Sequence, residues 1–335
     1  MTAQSASPLR SLFDVLLLDL DGTVYQGKDP IDGAVDALRL GSEKQYFVTN
    51  NASRTPSDVA GHLAELGFDT SEDFVVTSAQ VAARMLSGRV PAGSSVVVVG
   101  TDALAEEVRL VGLRPVRSAD GNPEAVVQGH SVDTDWKMLA QATFAIRGGA
   151  LWVATNTDAT LPTEHGLAPG NGSMVAAVKA ATGAEPLVAG KPAAPIMEDA
   201  IRLSRAERPL VVGDRLDTDI AGANATGVAS LLVLTGVSSA LDVVRAAEAE
   251  RPTYIGFGLD ILNSPAGMSE VVAKAGWSAE VEAGVLTVRH EDGSPANLLD
   301  GLVTTAAAAW ASAEMWTEIQ LFGNGTDELR KLLDS

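Results

Sequence analysis

The chain has no cysteine and four histidines in its 335 residues. Disulfides, thiolate nucleophiles and cysteine-ligated zinc are thereby excluded, and a histidine-rich metal site lacks ligands. Positive charge is also scarce: 24 Lys and Arg stand against 43 Asp and Glu, a formal net charge of -19. Such a surface repels nucleic acid and anionic membranes, so neither is an expected partner. An anionic substrate must then be drawn in locally, by a metal or a few well-placed cations. Long apolar runs are missing as well, none approaching the ~18 residues of a membrane-spanning helix. Residues 1–10 are polar and serine-rich, without the apolar stretch of a secretory signal. A cytoplasmic location is expected.

What is present is ordinary globular material, 46% hydrophobic and 20% charged. The length predicts more than one domain. Residues 13–18 form a short apolar run ending at Asp19 and bounded by Gly22, which reads as a buried strand. A helix over 33–40, a strand over 45–49 and a helix opening at Thr55-Pro56-Ser57 follow. This βαβα alternation implies a doubly wound parallel α/β sheet. A second α/β set follows, with strands over 95–99, 125–127 and 151–154 and helices over 102–111, 135–147 and 174–181. The first pattern resumes at Gly190-Lys191-Pro192, with a helix over 195–203, a strand over 209–212, a helix over 219–225 and a strand over 229–234. Beyond residue 258 the character changes to a small α+β tail, with a strand over 285–289 and an alanine-rich helix over 298–315. The expected division is a core of 1–80 and 187–258, an inserted α/β cap of 81–186, and an extension of 259–335.

The chemistry concentrates in Asp19-Leu20-Asp21-Gly22-Thr23-Val24, Thr49-Asn50-Asn51, Lys191, and Gly213-Asp214 with Asp219. All but the lysine follow expected parallel strands, where open α/β sheets bind ligands. An isolated aspartate after a strand is ordinarily a turn or cap residue. Two aspartates one residue apart, followed by Gly-Thr, point to more, because alternation directs both to one side and Gly22 permits an abrupt turn. One carboxylate can attack phosphorus, and its neighbour can protonate the leaving oxygen and later deprotonate water. Attack on a phosphate dianion requires cations, and a hard divalent ion such as Mg2+ on oxygen ligands supplies them. Asp19, Asp214 and the Asp21 carbonyl are candidate ligands, with Asp219 as an outer partner orienting Lys191 or the metal waters. Lys191 offers a fixed positive charge, although a lone lysine is usually solvated. Thr49, Asn50 and Asn51 offer donors to phosphoryl oxygens, or alternatively a strand-ending turn.

In this order and spacing, these segments resemble the motifs of the haloacid dehalogenase superfamily of phosphatases, over roughly residues 13–258. Val-Thr-Asn-Asn at 48–51 and Gly-Asp-Arg-Leu-Asp-Thr-Asp-Ile at 213–220 resemble its nitrophenylphosphatase-like branch. That branch includes phosphoglycolate, pyridoxal phosphate and glycerol phosphate phosphatases. The resemblance implies that Asp19 is nucleophile and metal ligand, Asp21 acid/base and Asp214 a metal ligand. It also implies a cap inserted between the second and third motifs and a homodimer formed through it. Cap residues Asn156, Asp158, Leu161, Pro169 and Gly170 would then face the substrate. Leu161 stands where pyridoxal phosphate phosphatases resemble one another in carrying a histidine, which tilts the expected substrate toward a small linear phosphometabolite.

The tail resembles the truncated acetyltransferase-like extension of actinobacterial glycerol 3-phosphate phosphatases. Gly323-Asn324-Gly325 lies too near the terminus to open a helix-plus-sheet unit, so acetyl transfer is not expected. The expected substrate is therefore glycerol 3-phosphate, with phosphoglycolate or assorted sugar phosphates as the alternative. A catalytically silent phosphometabolite sensor is the alternative of another class. Retention of both Asp19 and Asp21 disfavours it, since binding alone needs no nucleophile.

Overall fold

A computed structural model describes residues 6–163, 165–291, 293 and 296–335. Residues 1–5 of the polar amino-terminal stretch lie outside them. The chain divides into two units, Met1–Tyr46 with Leu203–Ser335, and Phe47–Arg202.

In the first unit, four short apolar runs form parallel strands. Val15–Leu18 pairs with Pro209–Gly213, which pairs with Ala229–Val233, which pairs with Tyr254–Gly256. Val15 to Leu18 are all buried. Near-continuous apolar strands of this kind are the mark of a sheet covered on both faces. The register sets Leu18 opposite Val212, and the Asp19 N–H donates to Val212 O at 2.8 Å. Asp19 and Asp214 therefore leave adjacent strands at the same carboxyl-terminal end.

The helix expected over 219–225 begins earlier, as a π-helical turn at Leu216–Ile220 that runs into Ala221–Ala225. The Ile220 N–H donates back to Arg215 O at 3.2 Å, and the Asp219 N–H to the same oxygen at 3.0 Å. Widened turns of this type recur at functional sites.

The carboxyl-terminal extension belongs to this unit. Trp277–Glu282 pairs antiparallel with Val285–His290, which pairs parallel with Glu318–Phe322. The helix expected over 298–315 is Leu298–Ala311. It stops there because Ser312 is extended and its hydroxyl accepts the Glu314 N–H at 3.0 Å, a local bond that competes with helical continuation. The reading of Gly323-Asn324-Gly325 is also corrected. After the Glu318–Phe322 strand it opens the helix Thr326–Asp334, with Gly323 and Gly325 both at positive φ. A Cβ at Gly323 would overlap His290 O, so a side chain is excluded there. This short helix holds because Leu329 and Leu333 are buried. Trp310 donates its indole N–H to Val243 O at 3.0 Å, fastening the extension to the helix Ala240–Val244 between the last two strands of the sheet.

The second unit carries a five-stranded parallel sheet in the order Leu187–Val188, Leu151–Ala154, Ala125–Gln128, Ser95–Val99, Arg114–Val116. Val97, Val99, Val126 and Trp152 pack with Ala142, Val175 and Val178 of the helices Trp136–Arg147 and Asn171–Thr182. Within this unit Phe47 to Thr49 pair in parallel with Val75–Thr77. Among the elements that were not anticipated are a helix and a hairpin. The helix Ser78–Ser87 starts on a capping box in which Thr77 and Gln80 satisfy one another's backbone N–H groups. The stretch expected as a loop holds a hairpin, Thr160–Thr163 with Gly166–Pro169. The α/β class with parallel sheets and a small added sheet is as expected.

The extension should contribute packing. Leu302 is fully buried, so Leu302→Ala should cost about 2–5 kcal/mol. Thermal melting should show that loss while kcat of the folded protein is unchanged.

Candidate active site

Each unit presents one polar constellation. In the first, single oxygens of Asp19, Asp214 and Asp219 lie within 4.8 Å of one another, with Asp214 and Asp219 buried. The sheet register supplies two of the three, and the π-helical turn brings back the third.

Asp214 is wholly inaccessible to solvent. Its Oδ2 accepts the Val237 N–H at 2.7 Å, and its Oδ1 the Thr23 hydroxyl at 3.4 Å. Side chains are absent where it needs room: a Cβ on Gly22 or Gly236 would run into the Asp214 carboxyl group. Gly22 also sits at φ +85°, which disfavours any other residue. Its carbonyl is held by the Thr235 hydroxyl at 2.5 Å. Asp219 is packed against Gly213 in the same manner, and its Oδ2 accepts the Arg215 N–H at 3.1 Å.

Asp21 lies outside the trio. It is exposed, yet crowding by neighbouring atoms desolvates its carboxyl and raises the pKa, against a lowering by the Gly27 N–H. That direction suits a group that must carry a proton.

In the second unit the centre is Asn50. Its Oδ1 accepts the Lys191 N–H at 2.7 Å, and its Nδ2 donates to Lys191 O at 3.0 Å. One amide thus grips the lysine backbone from both sides. The same Nδ2 reaches the Asp158 carboxylate at 3.3 Å. Lys191 is 2% exposed, and its ammonium donates to Val48 O at 3.1 Å. Gly190 allows this approach, since a Cβ there would meet both Asn50 Oδ1 and Thr155 O. Thr49 is buried and accepts the Asn51 N–H at 3.1 Å.

The remaining expected residues are placed differently. Asn51 is exposed and closes a local turn, its Oδ1 accepting the Ser53 N–H and hydroxyl. Asn156 is 5% exposed and donates its amide to Asn50 O at 2.8 Å, so it braces the Thr-Asn-Asn segment. Leu161 is 38% exposed on the hairpin, opposite Ala168, and Pro169 pairs with Thr160. Gly170 precedes the helix Asn171–Thr182, and a Cβ on it would overlap Asp158 O. Arg215 is held bidentate by Asp217, which lowers the Asp217 pKa through that hydrogen bond. Sequence reasoning missed Gly236 and the Val237 N–H, because only the fold brings residues 22, 214 and 236 together. It also placed Asp219 one step outside the carboxylates it joins.

The donor set fits a hard divalent cation. All three groups are carboxylates, and three such oxygens at this spacing repel one another strongly without positive charge. Among the described residues this is the one group of three or more acidic, histidine or cysteine side chains so arranged.

Residues 16–114 match the family described as haloacid dehalogenase-like hydrolase, and residues 188–260 the one described as HAD-hydrolase-like. A D-glycerol 3-phosphate phosphatase of Mycobacterium tuberculosis (strain ATCC 25618 / H37Rv) is 55% identical over 275 residues, 82% of this chain and 78% of that protein. An acid sugar phosphatase of Staphylococcus aureus (strain USA300) is 38% identical over 236 residues, 69% of this chain and 90% of that protein. The crystal structure of a glycerol phosphate phosphatase from Mycobacterium tuberculosis in complex with magnesium superposes with a TM-score of 0.93 at 48% identity. It covers 98% of this chain and 99% of its own, so the extension has a counterpart there. A p-nitrophenyl phosphatase from Archaeoglobus fulgidus superposes with a TM-score of 0.69 at 30% identity, covering 75% of this chain and 98% of its own.

Substitution of the crowding glycines should separate the two constellations. Gly236→Ala displaces the Asp214 carboxylate and should weaken Mn2+ binding by about 10- to 100-fold, read by electron paramagnetic resonance titration. Gly190→Ala disturbs the Asn50 amide and the Thr155 carbonyl instead and should leave that affinity unchanged.

Proposed function

The chain belongs to the haloacid dehalogenase-like hydrolases, and on that premise we propose that it is a magnesium-dependent phosphomonoesterase that hydrolyses glycerol 3-phosphate to glycerol and phosphate. The observation that carries this reading is the oxygen cluster of Asp19, Asp214 and Asp219 at the carboxyl ends of parallel strands. Asp19, Asp214 and Asp219 would hold the magnesium ion, with the Asp21 carbonyl as a further ligand. When bound, the ion offsets the repulsion between carboxylates and phosphate and polarises phosphoryl oxygens.

The chain's own residues then divide the work. Asp19 attacks phosphorus, forming an acyl-phosphate bond as the ester P–O bond breaks. Asp21 gives its proton to the departing glycerol oxygen. Water then attacks the same phosphorus, its proton passing to Asp21, and phosphate leaves with Asp19 regenerated as a carboxylate. Lys191 and Thr49 receive the phosphoryl oxygens, by their positions in the family motifs. Asn50 serves chiefly to hold Lys191, since its amide is already engaged on the lysine backbone.

Residues 81–186 serve as the cap domain, on the family resemblance, with Leu161 on its hairpin. Leu161, apolar and partly exposed, supports a small linear alcohol over a substrate with a polar ring. A homodimer through the cap and a cytoplasmic location complete the proposal, on the family resemblance. The similarity to an acid sugar phosphatase supports a second reading, in which sugar phosphates or phosphoglycolate are the preferred substrates.

Three experiments test this reading. Asp19→Asn should remain folded by circular dichroism and release no phosphate; measurable turnover would remove Asp19 as nucleophile. Chelation should silence the wild type until Mg2+ is restored. A panel of glycerol 3-phosphate, phosphoglycolate, pyridoxal phosphate and sugar phosphates should show the highest kcat/KM for glycerol 3-phosphate. Preference for a sugar phosphate would favour the second reading, and no release from any ester would bring back the sensor.

A further inference from the structure

Asn171 has no place in the chemistry above, yet it is 1% exposed and its amide is committed. Its Nδ2 donates to Asn156 O at 2.7 Å and to Gln128 O at 3.3 Å. The Asn156 Nδ2 in turn donates to Asn50 O at 2.8 Å, where the Ser78 hydroxyl also arrives at 2.6 Å. Asn50 then clamps the Lys191 backbone through its own amide. Three asparagine side chains thus run in series from the start of one helix to the lysine.

We propose that Asn171 is a positioning residue for Lys191, acting through Asn156 and Asn50; this rests on the assignment of Lys191 to the phosphoryl group. The local sequence is shaped for the task. Asn171 lies between Gly170 and Gly172, and a Cβ on either would overlap the backbone carbonyls of residues 157–158. The two glycines let the first turn of the helix press onto the segment that carries Asn156 and Asp158.

The burial is costly, which argues against a passive role. Asn171 Oδ1 has no hydrogen-bond partner, and neither do the side-chain amide atoms of the fully buried Gln128. A buried polar atom left unpaired is destabilising, and an apolar side chain of similar size would avoid it. Only the donor end of Asn171 is used, and it is spent on the carbonyl of the next asparagine in the series. The chain of bonds ends on the backbone of Lys191.

The direct test is amide exchange by nuclear magnetic resonance on the full-length chain. The Lys191 N–H is donated to Asn50 Oδ1, so its exchange reports the clamp without reference to turnover. In Asn171→Ala the Lys191 amide should exchange roughly tenfold faster, the effect of one lost buried hydrogen bond. Amides of Val175 and Val178 in the same helix should not change. An unchanged Lys191 amide would overturn the proposal, as would equal acceleration at Val175 and Val178, which marks general loosening. Should Asn171→Ala fail to fold, Asn171→Ser is measured by the same criteria.

The kinetic arm separates this from the assignment of function. In Asn171→Ala, kcat/KM should fall about tenfold or more and the inhibition constant of inorganic phosphate should rise in step, while the Mg2+ activation curve is unmoved. Asn156→Ala should behave alike, and the double variant should cost no more than the worse single one, as expected for groups acting in series. Additive losses would overturn the series arrangement. A wild type that releases no phosphate would defeat the phosphatase reading and leave the exchange result to decide the role of Asn171.

Discussion

Three carboxylates drawn together are the constraint on which the rest of the first unit depends. Asp19, Asp214 and Asp219 bring oxygens within 4.8 Å in a protein whose formal net charge is already -19. At that spacing, ionised groups raise one another's free energy unless a cation intervenes. The fold opposes the repulsion by fixing each carboxylate through its backbone. A parallel register sets the first two side by side, and a π-helical turn returns the third. Glycines at 22, 213 and 236 leave the space those carboxyl groups occupy. The arrangement is poor for an apoprotein and well suited to a divalent ion, which is the sense in which the site is preorganised.

The lysine is handled by the opposite means. Lys191 is almost fully buried, and a buried ammonium is costly unless its donors are satisfied. Its ammonium is bonded to Val48 O, and its backbone is gripped by Asn50. Asparagine suits the role because one planar group offers both donor and acceptor, matching an N–H and a C=O of the same residue. The same logic explains why Asn50 is better understood as a clamp than as a phosphate ligand.

The extension shows how local chemistry can defeat a pattern. An alanine-rich run suggested a helix to residue 315, but the Ser312 hydroxyl captures the Glu314 N–H and ends it at Ala311. Gly323-Asn324-Gly325 looked too close to the terminus to open anything. Two glycines at positive φ nevertheless turn the chain from strand to helix, and two buried leucines hold that helix. The first difference comes from one local side-chain bond, the second from two glycines and from two leucines that the fold buries.

The amino-acid sequence alone determined the parallel α/β class and much of the succession of strands and helices, and it singled out Asp19, Asp21, Asp214 and Lys191 as candidates. Those features are local: short apolar runs bounded by Gly and Asp, helical spacing, and residues that fall at strand ends by alternation. Only the tertiary structure decided that Asp219 joins the carboxylates, that Gly236 and the Val237 N–H hold Asp214, and that Asn171 and Asn156 reach toward Asn50. These pairings join residues far apart along the chain, or turn on a helix widened by one residue. Hydrogen bonding at that range depends on strand register and on steric room beside glycines, and neither is written in the spacing of residue types.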